Sequence, residues 1–114
     1  MSPRTQQERM EDILSCARNI LDFTTGMNFE TFLDSPQTIR AVAYEFTTIG
    51  EATRVIPEEA QKHYPEVPWG KMAGIRNVLV HEYFRLDEEI LWKAAQEDIP
   101  PLIAVLERIV TSNK

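Results

Sequence analysis

The chain has 114 residues, 43% apolar and 26% charged, a balance that supports one packed core and excludes an intrinsically disordered chain. Twelve basic against eighteen acidic residues give a formal charge of −6, which excludes a general nucleic-acid coat and leaves room only for a local basic patch. The single cysteine, Cys16, excludes an internal disulfide framework and a multi-cysteine metal site.

The punctuation of proline and glycine divides the chain into helices. From about Thr5 to Thr24, Met10, Ile13, Leu14, Ala17, Ile20 and Leu21 recur at three- and four-residue spacing as one apolar stripe. Cys16 borders that stripe and reads as a small core residue. Gly26 suits the left-handed conformation that stops a helix. A short segment, Asn28 to Leu33, gathers Phe29, Phe32 and Leu33 into an apolar cap.

Asp34-Ser35-Pro36 is a start signal: a capping side chain, then proline where a missing N–H costs nothing. The helix it opens is expected to reach Ile56, with Ile39, Val42, Ala43, Phe46, Ile49, Gly50 and Thr53 on its inner face. Glycine inside a helix costs about 1 kcal/mol against alanine, so Gly50 reads as a place of close helix packing. Pro57-Glu58-Glu59 opens a short turn that ends before Pro65.

Pro68 and Trp69 begin the helix expected to be central, through about Glu82. Asp87 caps a further helix, Glu88 to Gln96, and Asp98-Ile99-Pro100-Pro101 restarts the chain into a last helix ending near Val110. No segment alternates with period two over strand length. The expectation is an all-α bundle of four to five main helices, one domain over residues 1–114. The longest apolar run, Leu102 to Leu106, is far short of the roughly 20 residues a membrane-spanning helix needs. Met1-Ser2-Pro3-Arg4 leads into a charged stretch unlike a signal peptide, so a cytoplasmic location is expected.

Chemistry has few places to reside. His63 sits in the polar run Gln61-Lys62-His63-Tyr64 and reads as a surface or helix-end residue. His81 lies in Arg76-Asn77-Val78-Leu79-Val80-His81-Glu82-Tyr83. Between Trp69 and Arg85 the cations Lys71, Arg76 and Arg85 face one acid, Glu82, which makes that segment +2 within an acidic chain. Any polyanion would bind there, with Lys71 and Arg85 as phosphate contacts.

Arginine, histidine and tyrosine form a coherent set for phosphodiester chemistry. Histidine, with an ordinary pKa near ~6.5, can take a proton from a ribose 2′-hydroxyl or give one to a leaving 5′-oxygen. Arginine can fork onto two phosphate oxygens as charge builds in the transition state. Asn77 can orient a phosphate or the imidazole, and Tyr83 can hydrogen-bond or stack on a base. At about 100° per residue, Arg76 and His81 are rotated by roughly 140° on one helix, whereas Asn77 and His81 share a face. Either the helix loosens near His81 or the site combines two protomers across a two-fold axis, which would also supply one site with two histidines.

Arg76-Asn77-x-x-x-His81-x-Tyr83 resembles the signature of the HEPN superfamily in its HepT-like form. Ile49-Gly50-Glu51-Ala52 is similar to that family's mid-chain motif, Val67-Pro68-Trp69 to its entry into the motif helix, and Asp98-Ile99-Pro100 to its last helix start. Gly74 through Phe84 is the most specific stretch, and Gly70 departs from a position where relatives often carry a basic residue. The resemblance implies an antiparallel helical bundle that dimerises with its motif helices meeting at a composite cleft. It implies a ribonuclease toxin that needs no metal or other cofactor, with Arg76 and His81 catalytic and Asn77 supporting. It implies a minimal nucleotidyltransferase as antitoxin, which uses ATP and Mg²⁺ to place AMP on Tyr83.

Two other readings stay open on the residues alone. One is a non-catalytic helical module that binds a nucleotide or the nucleotidyltransferase. The other is a dimerisation scaffold in which Arg76 and Tyr83 are structural.

Overall fold

The structure, a computed structural model, describes residues 4–81 and 87–112, with position 81 described for its backbone alone. Seven helices follow in order: α1 (Gln6–Thr24), α2 (Phe29–Leu33), α3 (Pro36–Val55), α4 (Glu58–Lys62), α5 (Trp69–His81), α6 (Glu88–Glu97) and α7 (Ile99–Ser112). No strand occurs among the described residues. Five of the helices are long and two are single turns, which is the all-α bundle expected from the residues. No helix among them is long and apolar enough to cross a membrane.

α1, α2, α3 and α6 each start where a capping side chain relieves orphan N–H groups. Thr5 and Glu8 form a reciprocal box on α1, with Glu8 N donating to Thr5 Oγ1 at 3.0 Å and Thr5 N donating to Glu8 Oε1 at 2.9 Å. The N–H donated by Thr5 holds the Glu8 carboxyl below the usual carboxylate range. Asn28 and Thr31 repeat the arrangement on α2. Ser35 followed by Pro36 opens α3, and Asp87 Oδ1 accepts from Glu89 N and Ile90 N at the start of α6. Gly26, at φ +79°, turns the chain out of α1 in the left-handed conformation assigned to it.

α3 is the spine of the bundle. α1 packs on it from one side and α5 from another, while α7 lies against α1 and α6 against α7. The buried stripes agree with the periodicity: Met10, Ile13, Leu14, Ala17 and Ile20 on α1, and Leu102, Ile103, Leu106, Ile109 and Val110 on α7. Leu21 departs from it, being 42% exposed. Thr24 continues the buried line in its place, its hydroxyl satisfied by the Ile20 carbonyl at 2.9 Å.

The apolar cap at residues 28–33 forms around a residue from another helix. Phe32 is fully buried, with its ring centroid 5.1 Å from that of Trp92 on α6, and Phe29 lies 6.4 Å from the same ring. Leu33, assigned to the cap, is exposed instead.

The segment between α3 and α5 is tied down by polar bonds that aim α5. Gln61 Nε2 donates to the carbonyls of Thr53 and Ile56, and Trp69 Nε1 donates to those of Gln61 and Tyr64 at 3.1 and 3.0 Å. These satisfy the last turn of α3 and fix the first residue of α5 in one network. His63 is the exposed C-terminal cap of α4, as its surroundings in the sequence indicate.

Candidate active site

α5 crosses α3 at Gly50, and the crossing is closer than any side chain would permit. A Cβ placed on Gly50 would fall within the Cβ and Cγ of Arg76 and 3.1 Å from the Met72 carbonyl oxygen. The glycine read as a packing position therefore serves one residue above all: the aliphatic stem of Arg76 lies over bare backbone. One residue further along α3, Glu51 meets the head of the same side chain. Its Oε1 accepts from Arg76 Nε at 2.9 Å and from Nη2 at 2.6 Å.

Arg76 Nη1 in turn donates to Asn77 Oδ1 at 3.0 Å. Only 13% of the Arg76 side chain is exposed, against 50% for Glu51, so a largely buried arginine meets a half-exposed carboxylate. A guanidinium has five N–H donors, and the described residues engage three of them. Among the described residues, one N–H on each terminal nitrogen has no acceptor, the number needed to meet two oxygens of a phosphate. Arg54 adds a second cation beside the cluster, its Nη1 3.6 Å from Glu51 Oε2.

Arg76 and Asn77 are thus brought together, and α5 remains helical through His81. The side chain of His81, and Tyr83 and Arg85 altogether, lie outside the described residues. Lys71 is on α5 but away from this cluster. Its ammonium approaches Asp98, at the start of α7, at 3.0 Å from Oδ1 and 2.8 Å from Oδ2. The basic stretch of the sequence is therefore matched, for both of its described cations, by acids from other helices. Sequence arithmetic along one segment misses such acids because Glu51 and Asp98 lie 25 and 27 positions from Arg76 and Lys71.

Glu51 is the site residue that reading the sequence did not single out, although it lies within the quoted Ile49-Gly50-Glu51-Ala52. The usable signal was Gly50: a helix-interior glycine kept for close packing implies that its neighbours on the same turn touch the opposing helix.

Glu51 also borders a shallow groove of about 420 Å³ between α1 and α3, whose floor includes Cys16. Burial, then the neighbouring Glu45, pushes the Cys16 thiol up to about 12, so it is no nucleophile near neutrality. Its assignment as a core residue holds.

Fold and site together define a small all-helical protein that presents an arginine, an asparagine and a glutamate where its two central helices cross. A family model described as Ribonuclease HepT-like matches residues 13–109. Three curated relatives match across nearly their whole lengths. "Probable ribonuclease HepT" of Thermococcus cleftensis is 39% identical over 106 residues, 93% of this chain and 96% of its own. "Putative RNase MJ1380" of Methanocaldococcus jannaschii is 36% identical over 102 residues, 90% of this chain and 94% of its own. A protein of Caldanaerobacter subterraneus subsp. tengcongensis bearing the same kind of name is 32% identical over 111 residues, 97% and 99% of the two chains. No solved structure matches the chain. The chain belongs to the HepT-like ribonuclease family.

Proposed function

We propose that the chain is an endoribonuclease that works without metal, uses Arg76 and His81 at a cleft shared by two protomers, and acts in the cytoplasm as a toxin. The observation that carries this reading is the state of α5. Arg76 is clamped on the side facing α3, while the helix continues unbroken through His81. With no loosening before position 81, the five-residue offset turns the two positions about 140° apart, which favours a site completed by a second protomer.

The outer surface of α5 supports that assembly. Gly70 and Gly74 stand one turn apart, and a Cβ on either would meet nothing within 4 Å, so neither glycine has a packing role within the protomer. Val78, on the same face of the helix, and Ile90 nearby are large apolar side chains left exposed. A second copy of α5 would cover them and bring two His81 residues to one cleft.

In that cleft one histidine removes the proton of a ribose 2′-hydroxyl, whose oxygen bonds to phosphorus. The other protonates the 5′-oxygen as its bond to phosphorus breaks, leaving a 2′,3′-cyclic phosphate and a free 5′-hydroxyl. The two remaining N–H groups of Arg76 stabilise the charge on the phosphorane, Asn77 supports the guanidinium, and Lys71 and Arg85 contact flanking phosphates.

The toxin is held in check by a minimal nucleotidyltransferase that transfers AMP from ATP to the Tyr83 hydroxyl, releasing pyrophosphate. The added phosphates occupy and repel from the place where RNA phosphate binds. Incubation with the neighbouring nucleotidyltransferase, ATP and Mg²⁺ should raise the intact mass by roughly 329 Da per AMP in wild type and not in Tyr83→Phe. Unmodified wild-type protein that gains nothing argues instead for a non-catalytic module binding a nucleotide or the nucleotidyltransferase. The pairing of Arg76 and Lys71 with acids of their own chain is the observation on that side.

A further inference from the structure

We infer that Glu51 is a positioning residue for Arg76: with the bare backbone of Gly50 beside it, its carboxylate fixes the guanidinium that meets the RNA phosphate. The inference rests on the nuclease reading above and adds to it a residue that never touches the substrate.

Two consecutive residues of α3 receive the two halves of one side chain. Gly50 accepts the stem, since only a missing Cβ leaves room for Arg76 Cβ and Cγ, and Glu51 grips the head with bonds of 2.9 and 2.6 Å to Nε and Nη2. Both bonds converge on one oxygen from the inner edge of the guanidinium, which leaves its outer N–H groups clear of Glu51. An arginine with several free torsions is otherwise costly to hold in a single geometry. A phosphate ligand misplaced by an ångström loses on the order of 10² in rate.

Stability alone does not account for the pair. Glu51 is half exposed, and ion pairs with an exposed member contribute little to folding. Nor is Glu51 placed as a proton acceptor. Oε1 is taken by Arg76 and Oε2 faces Arg54 at 3.6 Å, so neither oxygen is directed at a ribose hydroxyl.

Position and charge are separable by substitution. Glu51→Gln keeps an oxygen at the same reach that can accept from Nε and Nη2. Glu51→Asp keeps the charge and withdraws it by one methylene. Steady-state cleavage of a short RNA in EDTA would be measured for wild type, Glu51→Gln, Glu51→Asp, Glu51→Ala and Arg76→Ala, with melting temperatures alongside. The expected order is Gln within about threefold of wild type, with Asp and Ala lower in kcat by roughly 10- to 100-fold and KM nearly unchanged. All three Glu51 variants should melt within about 5 °C of wild type. Wild-type kcat in both Asp and Ala, or an active Asp variant beside an inactive Gln variant, overturns the positioning role. Absence of cleavage by wild type itself, or undiminished cleavage by Arg76→Ala, overturns the nuclease reading and this inference with it.

Discussion

Position 50 is tightly constrained, because the approach of α5 to α3 is set there by what glycine lacks. Gly50→Ala must push the Arg76 stem or the whole of α5 outward, since the added methyl would fall inside that side chain. Overpacking of this kind costs typically 1–3 kcal/mol. The variant should therefore unfold at lower denaturant concentration and lose RNA cleavage together, whereas alanine at Gly74, where a Cβ meets nothing, should leave protomer stability intact or raised. Equal stability in the two variants would show that the crossing is looser than the geometry requires.

Cys16 offers a second test at the same scale. Its thiol is raised from 9.0 to about 12 in the folded chain, so between those values the native state holds a proton that the unfolded state has released. Stability must then fall as pH rises above about 9 through this group. Cys16→Ala should flatten the decline of melting temperature between pH 8 and 11 relative to wild type. Parallel curves for the two proteins would contradict the assigned burial.

Among the helices, α2 depends on a distant residue. Its five residues are far too few to hold helical structure alone, and its anchor is the fully buried Phe32 against Trp92 of α6. Phe32→Ala should cost about 3–5 kcal/mol by equilibrium unfolding, because it removes a complete ring from a closed site. A change under 1 kcal/mol would mean that α2 merely rests on the surface.

The helices themselves were readable in the residues because each one carries its own signals. Asp34-Ser35-Pro36 marks a start, Gly26 a stop, and the stripes on α1 and α7 repeat at the helical period. What escaped the reading depends on residues far apart in sequence. Leu21 satisfies the period of α1 and still lies exposed, and Glu45, on the inner face of α3, is buried with its carboxylate accepting from Asn19 Nδ2 at 3.2 Å. The candidate site divides in the same way. Arg76 and Asn77 were legible because local spacing suffices to single them out. The clasp by Glu51 was not, because no local rule links positions 51 and 76.

For the whole molecule, the fold explains how an acidic chain can act on RNA. The chain carries a net charge of −6, and the described cations of α5 each sit against a carboxylate, so they do not form a broad basic face. The proposed site answers this with a small preorganised cleft, in which the clamped arginine would face the scissile phosphate and a two-fold partner would supply the second histidine. The helix that carries the site also carries the exposed Val78 and the unfilled glycines that such a partner would cover.

The most direct test is the rate of RNA cleavage in EDTA as a function of pH, for wild type and His81→Ala at equal concentration. A site with one histidine as base and another as acid predicts a bell-shaped profile for wild type, products ending in 2′,3′-cyclic phosphate, and no cleavage by the variant at any pH. Cleavage by His81→Ala at the wild-type rate would contradict the account.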